Sequence, residues 1–173
     1  MDLRTVGVTI ACLLTLVGGK ALGWVHGSTS PTSPVAAATV QEPVDAGVQL
    51  LRKKVNKLPA RLVIHLGTNG GVTPQQLDTI MAILGTDRLV VWSTIQLPDD
   101  PSRYTYETRT NETIAGLASR YDNVRILDWN ALTQQNAEWI YLEGIHMTPE
   151  GCAGYARLLD GLVRAASPFG NVT

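Results

Sequence analysis

The segment YLEGIHMTPEG carries a carboxylate and an imidazole three residues apart, just before a predicted helix. The carboxylate of Glu143 can accept a hydrogen bond from Nδ1 of His146. That bond would fix the neutral tautomer and leave Nε2 as a general base. Glutamate replaces aspartate as the orienting acid in some catalytic triads. A loop histidine with no chemical role has the same local sequence, so this spacing predicts a base only together with further residues.

A second polar feature is the turn GTNGG, which follows the apolar run LVIHL. Asn69 is expected at the carboxyl end of a strand, where its amide can donate a hydrogen bond to a developing oxyanion. Gly67, Thr68 and Gly70 beside it are expected to contact substrate, because glycine lets a backbone approach a ligand closely. An Asn-Gly pair after a strand is also typical of an ordinary turn, and this alternative stays open.

Strands that alternate with helices are predicted to position these residues. Apolar runs predict strands in ARLVIHLG, RLVVWSTI and NVRILDW. Periodicity predicts helices in VDAGVQLLRKKVN, TPQQLDTIMAILG, YETRTNETIAGLASRY and TPEGCAGYARLLDGLVRAA. Thr-Pro pairs are expected to begin the second and fourth helices. Because the strands are apolar on both faces, the sequence predicts a three-layer α/β/α fold with a parallel sheet.

The predicted sheet places the candidate residues on one rim, since ligands of open parallel sheets bind at the carboxyl ends of the strands. Asn69, the turn after IQLP and the segment after Trp129 should meet there. In the segment IQLPDDPSRYTYETRTN, candidate ligand contacts are Arg103, Tyr104 and Asn111, with a solvated loop as the alternative. The helix residues expected to face inward are Val44, Val48, Leu51, Val55, Ile114, Leu117 and Ala118.

Composition limits the function classes. The 173-residue chain is 45% hydrophobic and 17% charged with a formal net charge of -1, which gives no reason to expect nucleic-acid binding. Residues 1–25 are expected to form a signal peptide or membrane anchor, 26–43 a Ser/Thr/Pro/Ala-rich linker, 44–167 the globular domain and 168–173 a tail. This predicts an exported or membrane-anchored extracytoplasmic protein. If residues 6–17 instead form a core strand, the prediction is a cytoplasmic protein.

No metal or organic cofactor is expected. Cys12 and Cys152 are the only cysteines, and the chain contains neither CxxC nor HExxH, so a zinc site is not predicted. His65 is expected to lie within a strand and to pack against a neighbour. The sequence carries no signal of oligomeric state.

Taken together, GTNG, the ExxH-x-TPEG segment and the strands LVIHLGTNG and NVRILDW resemble the SGNH (GDSL-type) hydrolase superfamily. The nearest resemblance is to the extracytoplasmic SGNH domains of bacterial acyltransferases, including peptidoglycan O-acetyltransferases. It implies a flavodoxin-like fold and a serine esterase or O-acyltransferase that acts on acyl (acetyl) esters of cell-envelope carbohydrate. It also implies that Asn69 is an oxyanion donor, that His146 is the base, and that Glu143 replaces the usual aspartate.

The Gly-Asp-Ser block that carries the nucleophile in that superfamily is absent. The best positional match, LTLVGGKALG, has Lys20 where the serine is expected, and lysine needs a lowered pKa to act as a nucleophile. Three explanations stay open: a degenerate first block, a lost first strand and turn, or another serine. Ser28, Ser30 and Ser33 lie in the expected linker, and Ser93 in or near a predicted strand. The alternative function is a catalytically inactive SGNH-like domain that binds a glycan or a partner protein.

Overall fold

Helices and strands alternate along the chain in the structure, a computed structural model that describes residues 44–166. The expected leader, linker and tail lie outside the described residues. The helices are α1 (Val44–Lys54), α2 (Pro74–Leu84), α3 (Glu107–Ala115), α4 (Trp129–Gln135) and α5 (Pro149–Ala165). The strands are β1 (Arg61–Ile64), β2 (Leu89–Ser93) and β3 (Val124–Leu127). Short 3₁₀ turns cover Val55–Lys57 and Ala137–Trp139.

The described strands form a parallel sheet in the order β1-β2-β3. Leu62 is in register with Val90, and Val90 is in register with Val124. All residues of the central strand β2 are buried, as expected of a parallel strand covered on both faces. The three predicted strands and the parallel sheet are therefore confirmed.

The two faces of the sheet contribute to separate apolar cores. Val90 and Trp92 of β2 face a core to which α1, α2 and α3 contribute. Val91, which lies between them, faces a second core built with α4 and α5. Side chains alternate between the two faces of a strand, so helices cover both faces. This arrangement confirms the predicted three-layer α/β/α fold.

Threonine caps begin α2 and α5, as predicted. Thr73 Oγ1 accepts the N–H of Gln76 (3.3 Å), and Gln76 Oε1 accepts the N–H of Thr73 (2.9 Å), which is a complete capping box. Thr148 Oγ1 accepts the N–H of Gly151 (3.1 Å) at the start of α5. The second cap fixes the start of α5, which directly follows the segment that carries His146.

Three helix details differ from the sequence-based prediction. The α-helical part of α1 ends at Lys54, so Val55 lies in a 3₁₀ turn. Helix α3 ends at Ala115, and the chain then turns, so that Ala118 is exposed and the expectation of an inward Ala118 was wrong. Helix α4 was not predicted. It begins where Asp128 Oδ1 accepts the N–H of Ala131 (3.2 Å). Within residues 44–166, no helix is long and apolar enough to span a bilayer.

Candidate functional site

A tight reversal of the chain carries Glu143 and His146. Ile140 and Met147 form an antiparallel bridge at its base. Above the bridge, the N–H of Tyr141 donates to the carbonyl oxygen of His146 (2.8 Å). The segment between them, residues 141–146, is called the dyad turn below. Its ends are held by backbone hydrogen bonds, which fix the backbone positions of Glu143 and His146.

Glu143 and His146 contact each other within the dyad turn. Glu143 Oε1 contacts Nδ1 of His146 and also accepts the His146 backbone N–H (2.9 Å). Burial raises the pKa of Glu143, but hydrogen bonds from its own backbone N–H and from the backbone and ring of His146 outweigh this and hold the pKa below its ordinary value. The side chain of His146 is only 15% exposed, whereas that of Glu143 is 45% exposed. The acid is therefore partly solvated, and the imidazole is mostly enclosed.

The second ring nitrogen of His146 is buried and has no hydrogen-bond partner within residues 44–166. A contact between the carboxylate and Nδ1 favours the tautomer in which Nε2 is the acceptor. A buried acceptor without a donor costs about 1–3 kcal/mol. The pair therefore combines an imidazole oriented by a carboxylate with a ring nitrogen that has no donor among residues 44–166.

The loop after β1 carries the predicted oxyanion donor. Gly67 and Gly71 have φ of +116° and +72°, and the N–H of Gly71 donates to the carbonyl oxygen of Gly67 (2.8 Å). A Cβ on Gly71 would lie 2.8 Å from the hydroxyl oxygen of Thr110, so the loop passes close to α3. Asn69 and Gly70 are exposed at its tip. This places Asn69 on the surface just beyond the carboxyl end of β1.

Tyr106 attaches this loop to the start of α3. Its hydroxyl donates to the carbonyl oxygen of Thr68 (2.7 Å), so the backbone of Thr68 is bound to protein. Burial raises the pKa of Tyr106, which keeps the phenol protonated as the donor of this bond. This hydrogen bond therefore anchors the loop at Thr68, the residue directly before the exposed Asn69.

Loops from several elements meet at the rim of the sheet. Pro98, in the loop after β2, packs on Gly144 of the dyad turn. His65, just after β1, stacks on Tyr155 of α5 at 5.8 Å between ring centroids. The Asn69 loop follows β1, and the dyad turn leads into α5. These contacts join the loop after β2 to the dyad turn, and the end of β1 to α5. That Asn69 meets the Glu143–His146 pair stays a prediction.

His65 lies one residue beyond β1 rather than within it, and it packs against Tyr155 as expected. Burial lowers the pKa of His65 to about 4, so the ring is neutral at neutral pH. This histidine belongs to the packing between β1 and α5.

Asn111 is committed to the fold rather than to a ligand. Its Oδ1 accepts the N–H of Ile95 (2.8 Å), and its Nδ2 donates to the Ile95 carbonyl oxygen (2.9 Å). The suggestion that Asn111 contacts a ligand is therefore corrected. Arg103 is exposed, and its guanidinium lies 5.2 Å from the centre of the Tyr104 ring. The alternative of a solvated loop fits both Arg103 and Tyr104.

The serines within residues 44–166 do not bond to His146. Ser93 is fully buried at the end of β2, and its hydroxyl donates to the Thr94 carbonyl oxygen (3.1 Å). The hydroxyls of Ser102 and Ser119 donate to Asp100 and to Gly116 (2.6 and 2.9 Å). Ser28, Ser30, Ser33 and Lys20 lie outside the described residues.

An open groove of about 230 Å³ adjoins the dyad turn. It is lined by Gln96, Thr133, Gln134, Ala137, Ile140, Tyr141, Leu142 and Gly144. Tyr141 is 48% exposed, and Leu142 is fully exposed at its edge. No local sequence pattern marks this groove, because its walls come from the loop after β2, from α4 and from the dyad turn.

No cluster of His, Cys, Asp and Glu within residues 44–166 has the size needed to hold a metal ion. The side chains that contact each other in the dyad turn are an imidazole and a carboxylate. Their chemistry is proton transfer and hydrogen bonding.

Comparison with known proteins finds relatives named O-acetyltransferases. The chain is 29% identical over 145 residues to O-acetyltransferase OatA of Staphylococcus aureus (strain NCTC 8325), which covers 83% of this chain and 23% of that protein. A second S. aureus protein (strain MSSA476), provisionally named an O-acetyltransferase, is 32% identical over 91 residues, which is 53% of this chain and 14% of that protein.

The chain thus spans less than a quarter of the length of the curated relatives that it matches. No protein-family model matches it. The relatives share the name O-acetyltransferase, and this similarity supports a relationship between the chain and acyltransferases.

Proposed function

We propose that residues 44–166 belong to an SGNH-type serine esterase or O-acyltransferase that acts on acyl (acetyl) esters of cell-envelope carbohydrate. The observation that carries the proposal is the Glu143–His146 pair, in which Nδ1 contacts a carboxylate and the buried Nε2 has no partner among residues 44–166. The similarity to O-acetyltransferase OatA over most of the chain supports acyl transfer as the reaction class.

In the proposed reaction, Nε2 of His146 removes the proton of a nucleophilic hydroxyl as its oxygen forms a bond to the ester carbonyl carbon. The carbonyl oxygen becomes an oxyanion, to which the Asn69 amide donates a hydrogen bond. His146 then returns the proton to the departing alkoxide as the ester bond breaks. The acyl group passes to water or to an acceptor hydroxyl by the same steps, with Glu143 balancing the charge of the imidazolium.

The nucleophile comes from outside residues 44–166 in this proposal. The hydroxyls of Ser93, Ser102 and Ser119 are bonded elsewhere. Ser28, Ser30 and Ser33 are the serines of this chain to test first. The proposal also places the domain outside the cytoplasm, with residues 1–25 as leader or anchor. Fractionation of cells expressing the full chain tests that placement, since recovery in the cytosol alone contradicts it.

The second candidate function is a catalytically inactive SGNH-like domain that binds a glycan or a partner protein. Two observations favour it. No serine hydroxyl within residues 44–166 reaches His146. In addition, the groove beside the dyad turn has the exposed side chains of Tyr141 and Leu142 at its edge. Such a domain binds without turnover, and fluorophosphonate probes do not label it.

Treatment of the full chain with a fluorophosphonate probe and a chromogenic acetyl ester separates the two functions. If the chain is an active enzyme, the probe labels one serine, and His146→Ala lowers turnover of the ester by about 10³-fold or more. Glu150→Gln is the matched control, because Glu150 is an exposed carboxylate at the start of α5. Turnover that survives His146→Ala refutes the proposed mechanism. Folded protein with neither labelling nor turnover leaves the binding function.

A further inference from the structure

Glu107, the first residue of α3, is a half-buried carboxylate whose hydrogen bonds within residues 44–166 go to neutral groups. Oε2 accepts the N–H of Leu97, and Oε1 accepts Nδ2 of Asn130 (3.1 Å). Within residues 44–166, the ion pairs involve other residues. A helix N-terminus favours an acidic residue, but that preference does not require either contact. Burial of a carboxylate is costly unless it is hydrogen-bonded, so these two bonds hold the half-buried Glu107 in its position.

The contacts of Glu107 belong to a network that fixes the loop after β2. Asn130 Nδ2 donates to Gln96 Oε1 (3.0 Å) as well as to Glu107. One residue earlier, Ile95 is held through both its N–H and its carbonyl oxygen by Asn111. Three consecutive residues, 95–97, are thereby bound to side chains of α3 and α4.

The residue that follows this fixed segment contacts the dyad turn. A Cβ on Gly144 would lie 2.9 Å from Cα of Pro98, so the two backbones are already in close contact. Gly144 has φ of +81° and lies between Glu143 and His146. Because neither Pro98 nor Gly144 has a flexible side chain at this contact, a displacement of one must move the other.

We infer that Glu107 is a positioning residue for the Glu143–His146 pair. It holds the backbone at Leu97, which sets Pro98 against Gly144 and so sets the dyad turn. The significance of the inference for catalysis rests on the proposed function. The geometry itself belongs to the free protein, where the positions of the two side chains can be measured without turnover.

Glu107→Gln is the direct test. The substitution keeps the shape of the side chain but replaces one of two acceptor oxygens with an NH₂ group, so one of the bonds to Leu97 and Asn130 must be lost. The readout is the pair of imidazole ¹⁵N chemical shifts of His146, measured above the ordinary histidine titration range. A histidine held in one tautomer has well-separated Nδ1 and Nε2 shifts, and the separation narrows as the second tautomer becomes populated.

Two further variants control the test. Asp78→Asn removes a carboxylate that bonds to Arg120 and to Tyr121 (2.5 and 2.9 Å), away from the loop after β2. Pro98→Ala removes the ring atoms beside Gly144 and frees the φ angle at residue 98, and it does not alter a group that bonds to Glu107. His65 is an internal reference, because its ring packs on Tyr155.

In Glu107→Gln and in Pro98→Ala, the separation between the Nδ1 and Nε2 chemical shifts of His146 should narrow, and the His65 shifts should stay unchanged. In Asp78→Asn, the shifts of both histidines should stay unchanged. Wild-type His146 signals in folded Glu107→Gln overturn the inference, and so does an equal change in Asp78→Asn. If Glu107→Gln does not fold, Pro98→Ala decides, and unchanged His146 signals there overturn it. Absence of probe labelling and turnover affects only the proposed function.

Discussion

Replacement of Gly151 by alanine should destabilise the fold through the segment that leads to the dyad turn. A Cβ at this position would overlap the carbonyl oxygen of Trp139 and lie 2.8 Å from its carbonyl carbon. The optimum for two carbons is about 3.5–4.0 Å, so the backbones must separate by roughly 1 Å. The same oxygen accepts the N–H of Thr148 (2.9 Å), the residue that caps α5. The strain therefore falls on a hydrogen bond next to the site.

The magnitude follows from two opposing effects. Overpacking costs about 1–3 kcal/mol, and a rigid backbone contact belongs at the upper end. Alanine returns at most about 1 kcal/mol through its helix propensity. The net loss is about 2 kcal/mol, which lowers a urea midpoint by roughly 1 M for a typical small domain.

Urea denaturation followed by circular dichroism measures this loss, and α5 supplies its own control. A Cβ added at Gly161 would meet no atom within 4 Å, and this glycine lies on the exposed side of the helix. Gly161→Ala should therefore raise stability by about 0.5–1 kcal/mol. Alanine should therefore lower the free energy of unfolding at Gly151 and raise it at Gly161. A Gly151→Ala midpoint equal to or above the wild-type value would refute the assignment of the Trp139 contact as rigid.

Three further predictions concern hydrogen bonding and pH. Tyr106→Phe removes the bond to the Thr68 carbonyl oxygen and should cost about 1 kcal/mol in urea denaturation, with an unchanged midpoint contradicting it. His65, with its pKa lowered to about 4, stays neutral in the folded chain while the unfolded chain gains a proton below about pH 6.5. Stability should fall as pH drops from about 6.5 to 4, and His65→Gln should lose that part of the slope. Because the pKa of Glu143 is lowered, its stabilisation is present above its ordinary pKa and lost as pH falls through the folded value. Glu143→Gln should flatten the acid-side decline of the urea midpoint, and an identical decline would count against the contact with His146.

The strands and capped helices could be predicted because their signals are local. The run RLVVWSTI is apolar at successive positions, which a strand buried on both faces requires. Thr73 and Thr148 each precede a proline at the first helical position. Helix α4 escaped prediction because WNALTQQ is short and has no sustained apolar stripe, and its start depends on Asp128.

The candidate site likewise contains one local contact that the sequence could predict and long-range contacts that it could not. The contact of Glu143 with His146 joins residues three apart, and this spacing was enough to predict it. The contacts of Glu107 with Leu97 and Asn130 join residues that are 10 and 23 apart. No short spacing marks them, because they arise only when α3 and α4 meet over the loop after β2. Ala118 was placed wrongly for a related reason, since the helical period was extended beyond the point where the chain turns.

The buried Nε2 of His146 limits what the site can be. Trp92 Nε1 is also buried without a partner in the described part of the chain, so an unpartnered ring nitrogen is not by itself a sign of function. Trp92 lies in the central strand, where its ring fills the core, and packing accounts for its position. His146 instead lies in a turn where Glu143 already fixes its other nitrogen. A hydrogen-bond donor would offset the cost of burying this acceptor. The donor can be a serine hydroxyl from outside residues 44–166 or a ligand hydroxyl. A donor at this atom is therefore required by the proposed catalysis and compatible with the binding function, and covalent labelling distinguishes a nucleophile of the chain from a bound ligand.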